Sequence, residues 1–198
     1  PTRRSSDLGV YLDDRRNVLE VCQDLAKSVG CALTVSREGK LKLIRLAAPS
    51  NPRWDIQPDD MIAGTLRIVD RPAVQAAVKV GYARNHTPQS SGMAGGIPAA
   101  HFDLHAAEWQ HVTVDDAAIA TRYRQHTEPE QLDTMLVRRI DAQTEATRRL
   151  GLLSKVRHVF EFAARSRLLD VTVGDTVKLS HPRFGLSAGK LGVVVSAK

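Results

Sequence analysis

This chain of 198 residues has little of several residue types that mark particular classes of protein. Aromatic residues make up 5% of it, which leaves few rings for stacking on bases or sugars. The two cysteines, Cys22 and Cys31, lie in apolar surroundings without metal-ligand spacing, so we expect two buried thiols and no disulfide framework. No apolar run approaches the roughly 18 residues that a membrane-spanning helix needs, so no membrane span is expected.

Charge of one sign is not concentrated anywhere in the chain. Lys and Arg number 28 against 22 Asp and Glu, a net charge of +6, and no run of five like charges occurs. Hydrophobic residues make up 42% and charged residues 25%, which is typical of a chain that buries a core. The composition therefore predicts a folded protein with a solvated, mildly basic surface.

The order of the predicted elements indicates an α+β fold. Asp13 or Asp14 is placed to cap a helix that ends at Gly30. The apolar stripe of this helix has helical spacing and consists of Val18, Cys22, Leu25 and Val29. Two short apolar segments joined by "REGK" then predict a hairpin with Gly39 in its turn. We expect residues 9–50 to form a helix-plus-hairpin subdomain in which the helix packs on the ribbon.

Residues 51–198 are predicted to form a β-rich domain. Alternation in "AVQAAVKVGY" indicates a strand, and the glycines and prolines of residues 85–100 indicate a flexible loop. An inserted helix over residues 138–153 should pack on the sheet, and "LLDVTV" reads as one of several late strands. The expected buried stripe of that helix is Leu136, Ile140, Ala146, Leu150 and Leu153. Short strands at regular spacing favour a small barrel or a strongly curled sheet.

No residue pattern amounts to an active site. Phosphate-binding glycine spacing and nucleophile motifs are missing from the sequence, and the pairs Asp59/Asp60 and Asp115/Asp116 are better explained as caps and turn residues. We therefore assign no catalytic, cofactor-binding or metal-ligating residue, and we expect no cofactor and no small-molecule substrate.

Two functional alternatives nevertheless stay open. A basic helix over residues 138–149 could contact nucleic acid, although Asp141 and Glu145 are interleaved with its arginines and favour a solvated face. Three histidines within eleven residues could instead support a metal-dependent hydrolase; they are His101, His105 and His111.

Two longer stretches carry a family resemblance. One is "DDRRNVLEVCQDLAKSVGCALTVSREGKLKLIRL", and the other runs from "DAQTEATRRLGLLS" through "VGDTVKLSHPRFGL" to "GKLGVVVS". Together they resemble the hub proteins of tailed-phage tail tips and baseplates, including those of prophages and gene transfer agents. The resemblance covers most of the chain from about residue 9, and its most distinctive part is "VGDTVKLSHPRFGL".

The resemblance implies a structural role without catalysis. Such proteins form rings, commonly trimeric, at the distal end of the tail tube and hold other tail proteins. It therefore implies a virion location, with the host cytoplasm as the site of assembly. A ring subunit needs exposed strands or apolar patches, and the "AAVKV" strand and Val193–Val195 are the predicted surfaces.

The first eight residues, "PTRRSSDL", resemble a translated sequencing adapter. Together with the missing methionine and the short length of the chain, they suggest an artefact fused to a fragment of a longer virion protein. On this reading, residues 1–8 should be disordered.

Overall fold

A computed structural model describes residues 6–12, 14–36, 38–92, 97–125 and 128–197. The α+β prediction is confirmed. In chain order the helices and strands are α1 (Val18–Ser28), β1 (Cys31–Val35), β2 (Leu41–Arg45), β3 (Trp54–Ile56), β4 (Arg67–Asp70), β5 (Ala77–Tyr82), α2 (Ala99–Ala106), β6 (Gln110–Asp115), α3 (Ala117–Tyr123), β7 (Gln131–Asp133), α4 (Arg139–Leu153), β8 (Val159–Glu161), β9 (Thr176–His181) and β10 (Leu186–Val193). Short 3-10 helices cover Pro58–Asp60 and Ser166–Leu168.

The chain divides into two compact units, each built from two separate stretches. The first unit contains the chain up to Cys31 and Gln75–Lys155, and the second contains Ala32–Val74 and Val156–Lys198. This division does not coincide with the predicted subdomains 9–50 and 51–198, because α1 belongs to the first unit and most of the hairpin to the second. A contiguous reading of the sequence misses units that are assembled from distant segments.

The first unit packs α4 against a three-stranded sheet in the order β6-β5-β7. Strand β5 is central, antiparallel to β6 and parallel to β7. The core of the unit consists of Val78, Val80, Val112, Leu136, Ala142, Ala146 and Leu150. The predicted burial of Ile140 is wrong, because its side chain is 67% exposed and the small Ala142 takes the inward position. Alanines on this face let the helix approach the sheet closely.

The second unit contains three small sheets and no closed barrel among its described residues. Strand β9 lies between β10, which is antiparallel to it, and β3, which is parallel. Strands β4 and β8 form a two-stranded sheet, and β1 and β2 form a two-stranded ribbon. The core consists of Ile56, Met61, Leu66, Leu168, Val171, Val177, Leu179 and Leu186. The small-barrel prediction is thus corrected to separate short sheets.

The predicted "LLDVTV" strand is wrong, because none of residues 168–173 lies in a strand. Leu168 ends a 3-10 helix and is buried, whereas Leu169 is exposed. The backbone N–H of Val171 donates to the carbonyl of Leu168, and that of Asp175 donates to Thr172. These turn-forming bonds replace the expected strand pairing, because they give the buried backbone groups local partners.

Helix α1 begins later than predicted. Its N-cap is Asn17, whose side-chain oxygen accepts from the N–H of Leu19; Asp13 lies outside the described residues. Gly30 ends the helix in the left-handed conformation, as predicted, with φ of +70°. The predicted burial of Val18 and Cys22 is wrong, because both are exposed, and Cys31 is half-buried.

The segment before α1 is held by backbone hydrogen bonds. Leu8 forms an antiparallel bridge with Leu136, the N–H of Gly9 donates to Met135, and the N–H of Val137 donates to Asp7. The predicted disorder of residues 1–8 is therefore wrong for Asp7 and Leu8, and residues 1–5 lie outside the described residues.

The predicted flexible loop 85–100 is shorter in the structure. The N–H of Asn85 donates to the carbonyl of Glu108, just after α2, and that of Gln89 donates to the carbonyl of His105, in the last turn of α2. Helix α2 begins at Ala99, inside the predicted loop. Residues 93–96 lie outside the described residues.

We expect Gly30→Ala to destabilise the protein by roughly 3 kcal/mol. A Cβ at this position meets the guanidinium of Arg148 and also strains a backbone with positive φ. Gly39→Ala is the matched control, since φ is +75° there but no described atom lies within 4 Å of the added Cβ. It should cost about 1 kcal/mol. Urea unfolding measures the free energy of unfolding of both variants. Equal losses would show that the contact with Arg148 contributes nothing to the cost of Gly30→Ala.

Candidate functional site

The candidate site is an apolar face on the ribbon of β1 and β2. In β2 the side chains alternate between two environments, as a strand requires. Lys42 and Ile44 point inward within their unit, whereas Leu41 and Leu43 are 65% and 59% exposed. Val35 at the end of β1 is also largely exposed.

The inward side of β2 is fixed by specific contacts. The Nζ of Lys42 donates to the Thr172 hydroxyl and to the Val173 carbonyl, both at 3.1 Å. Ile44 packs so closely on Gly174 that an added Cβ there would lie 2.7 Å from it. These contacts determine which face of the strand is buried, so the two leucines must lie on the other face.

Exposed leucines on one face of a two-stranded ribbon differ from isolated apolar side chains. Single exposed apolar residues are ordinary on protein surfaces, whereas neighbouring ones on one face form a patch of the kind that contact sites use. We define the ribbon face as Val35, Leu41 and Leu43. Its chemistry suits protein–protein association, since it offers no titratable or nucleophilic group.

The surfaces predicted for association differ from this face. Strand β5, which contains the "AVKV" residues, is the central strand of its sheet, and both Val78 and Val80 are buried. Its predicted role as an exposed contact strand is therefore wrong. Strand β10 is an edge strand, but Val193 and Val194 are half-buried and Val195 alone of these three valines is largely exposed.

A second constellation surrounds Asp60, which is 4% exposed. Its carboxylate accepts two hydrogen bonds from Nη1 of Arg167, at 2.6 and 2.9 Å, and one from the backbone N–H of Gln57 at 2.9 Å. The Gln57 N–H, followed by the charges of Arg167 and Arg165, lowers the pKa of Asp60, although burial acts in the opposite direction. The carboxylate therefore stays ionised and has a structural role, because all its strong partners belong to the fold.

The residues of the basic helix are largely paired. Arg138 forms an ion pair with Asp7, and both Arg148 and Arg149 bind the buried Glu145. Nε of Arg148 lies 2.7 Å from Glu145, and this hydrogen bond raises the pKa of Arg148 further. Arg149 also donates to the carbonyl of Lys27 at the end of α1, where cations are favourable. Because three of four guanidinium groups are paired, the helix presents less unbalanced charge to a phosphate backbone than its sequence suggested.

The three predicted histidines are separated by secondary structure. His101 and His105 lie on α2, whereas His111 lies on β6, and all three are exposed. No group of three or more His, Cys, Asp or Glu residues suited to a metal is present in the described ranges. The structure thus offers no ligand set for the hydrolase alternative in the part of the chain that it describes.

Sequence reasoning missed the ribbon face and the partners of Asp60. Leu41 and Leu43 look like core residues in a hairpin, and burial of the opposite face depends on Thr172 and Val173, which lie about 130 positions away from Lys42. Asp60 and Arg167 are 107 positions apart, so no local spacing connects them.

No described helix is long and apolar enough to cross a bilayer.

Comparison with known proteins gives no family assignment. No family model matches the chain, and no curated protein matches it.

We expect Glu145→Ala to lower the free energy of unfolding by roughly 3 kcal/mol, because it leaves two mostly buried guanidinium groups without their carboxylate. Glu108→Ala is the matched control, since its ion pair with Arg84 is about half exposed and should contribute under about 1 kcal/mol. Chemical denaturation of both variants checks this. Similar losses of unfolding free energy in the two variants would mean that the burial of Glu145 with its two arginines adds no stability.

We expect Asp60→Asn to destabilise the protein by about 2 kcal/mol at pH 7, since charged hydrogen bonds are lost. The pKa of Asp60 is lower in the folded state than in the unfolded state. The stability that its carboxylate contributes is therefore complete above the unfolded-state pKa of about 3.9, and it is lost as the pH falls through the folded-state pKa. The difference between wild type and variant should therefore shrink below pH 4. A difference that is constant from pH 7 to pH 2 would contradict this assignment, and the exposed Asp59→Asn serves as control.

Proposed function

We propose that this protein is a structural subunit of a phage or prophage tail tip, a hub that associates with copies of itself in a ring at the end of the tail tube. It acts through its surfaces and not through catalysis. Its place is the tail of the virion, after assembly in the bacterial cytoplasm, and its further partners are other tail proteins.

The observation that carries the proposal is the ribbon face. Leu41 and Leu43 lie side by side on a short ribbon whose opposite side is already packed. A two-stranded ribbon is marginal by itself, and burying its outer leucines would stabilise it by roughly 1.5 to 3 kcal/mol for each fully buried side chain.

The resemblance supports the same role. Its first stretch coincides with α1, β1 and β2, and its most distinctive part, "VGDTVKLSHPRFGL", spans β9 and the turn into β10. The ribbon face therefore lies inside one of the two stretches that resemble hub proteins.

A second copy of this chain is the occupant that we propose for the ribbon face. A closed ring requires a head-to-tail interface, in which the ribbon face of one copy meets a different surface of the next. A stable interface of this kind buries about 800 Å² on each partner, so the three ribbon residues would form its apolar centre and not its whole area.

We expect the purified chain to form oligomers, with three copies as the leading expectation, and the double variant Leu41→Ser/Leu43→Ser to be monomeric. Multi-angle light scattering measures the mass of the particles in solution. Protein concentrations from about 5 to about 200 µM cover the range of moderate protein–protein affinities. Circular dichroism spectra of the two proteins should coincide, because both side chains are already exposed in the single chain.

Leu169→Ser is the matched control, since it removes a leucine that is similarly exposed but lies on a 3-10 turn outside the ribbon face. It should leave the oligomer unchanged. A wild-type chain that stays monomeric throughout the concentration range would overturn the proposal of self-association, as would a double variant that assembles normally.

A further inference from the structure

The second unit contains a cleft of about 320 Å³ that none of the preceding roles uses. Its apolar lining comes from Met61, Ile62 and Leu66, which follow the 3-10 helix Pro58–Asp60. Its cationic lining comes from Arg165, His181 and Arg183. The volume is at the lower end of the range in which small ligands and chain ends bind.

Arg165 is held in place from two sides. Its backbone N–H donates to the carbonyl of Asp60 at 2.9 Å, and its Nε donates to the carbonyl of Met61 at 3.3 Å. The Nη nitrogens have no hydrogen-bond acceptor among the described residues. The guanidinium is therefore positioned by its Nε, and its outer edge is available to a ligand with two acceptor oxygens.

Arg183 and His181 are positioned by the turn between β9 and β10. The Arg183 guanidinium stacks on the ring of Phe184 at 4.8 Å, and Phe184 has a left-handed backbone with φ of +60°. The backbone N–H of Arg183 donates to Nδ1 of His181 at 3.1 Å. Because Nδ1 accepts, the neutral imidazole carries its hydrogen on Nε2, which makes that nitrogen a donor.

The balance of charge around the cleft favours an anion. Asp60 and Arg167 neutralise one another in their ion pair. Asp59 also lines the cleft and opposes an anion, but Arg165 and Arg183 outnumber it by two to one. Arg183 has no carboxylate partner in the part of the chain that the structure describes.

We propose that this cleft binds the carboxylate end of a peptide whose last side chain is apolar. The guanidinium groups and the imidazole Nε2–H bind the two carboxylate oxygens, and the apolar side chain lies against Met61, Ile62 and Leu66. Cationic and apolar linings in one small cleft match this ligand better than inorganic phosphate, which has no apolar part.

The test titrates the full chain with N-acetyl-leucine, N-acetyl-leucinamide and inorganic phosphate, and follows the NMR resonances of His181 and Ile62. We expect N-acetyl-leucine to bind with a millimolar Kd. The amide lacks the charge and phosphate lacks the apolar part, so each should bind at least fivefold more weakly. Equal binding of the acid and the amide would overturn the proposal, as would equal or tighter binding of phosphate.

Variants separate this cleft from general attraction of anions by a basic protein. Arg183→Ala should weaken N-acetyl-leucine at least fivefold, and Arg183→Lys, which keeps the charge and loses the planar fork, should weaken it by less. Asp59→Asn should strengthen binding, because it removes the opposing charge. Arg67→Ala is the control, since Arg67 is paired with Glu161 and does not line the cleft. Binding that responds equally to the Arg67 and Arg183 changes would also overturn the proposal.

Discussion

The alternation of side chains along β2 is the constraint on which the proposed role depends. A strand that turns one residue inward must turn the next outward. Lys42 and Ile44 are committed to the inner side, the first by two hydrogen bonds and the second by close packing on Gly174. Leu41 and Leu43 cannot reach that side without a shift of register, and such a shift would expose Ile44 and break both hydrogen bonds of Lys42. The apolar outer face therefore follows from the way the inner face is held.

Two buried carboxylates are likewise held by specific partners within the fold. Glu145 lies in the first unit with two arginines, and Asp60 lies in the second unit with Arg167. Each carboxylate has its strong hydrogen-bond donors supplied by residues of its own unit, which makes it costly to remove and poorly suited to acid–base chemistry. The charges of these two clusters thus specify contacts within the fold.

The sequence predicted those features that depend on neighbouring residues. The alternation of "AVKV" predicts β5, and Gly30 predicts the end of α1 because a residue without Cβ suits positive φ. Burial depends on distant segments and was predicted less well. Val18 and Ile140 have helical spacing with core residues, yet they are 76% and 67% exposed because no other described part of their unit covers them. The same limit concealed the candidate site, since hydrophobic patterning cannot tell a buried leucine from one that awaits a partner.

Scarcity of aromatic residues has a consequence for the proposed assembly. The strongest positions in protein interfaces are usually Trp, Tyr and Arg, whereas Leu is under-represented among them. The ribbon face consists of Val35, Leu41 and Leu43, so a single contact between two copies should be weak. A closed ring compensates for weak contacts, because the last subunit to join binds through two interfaces at once and the effective concentration within the ring is high. An aliphatic contact face is therefore better suited to a closed assembly of several copies than to a tight dimer.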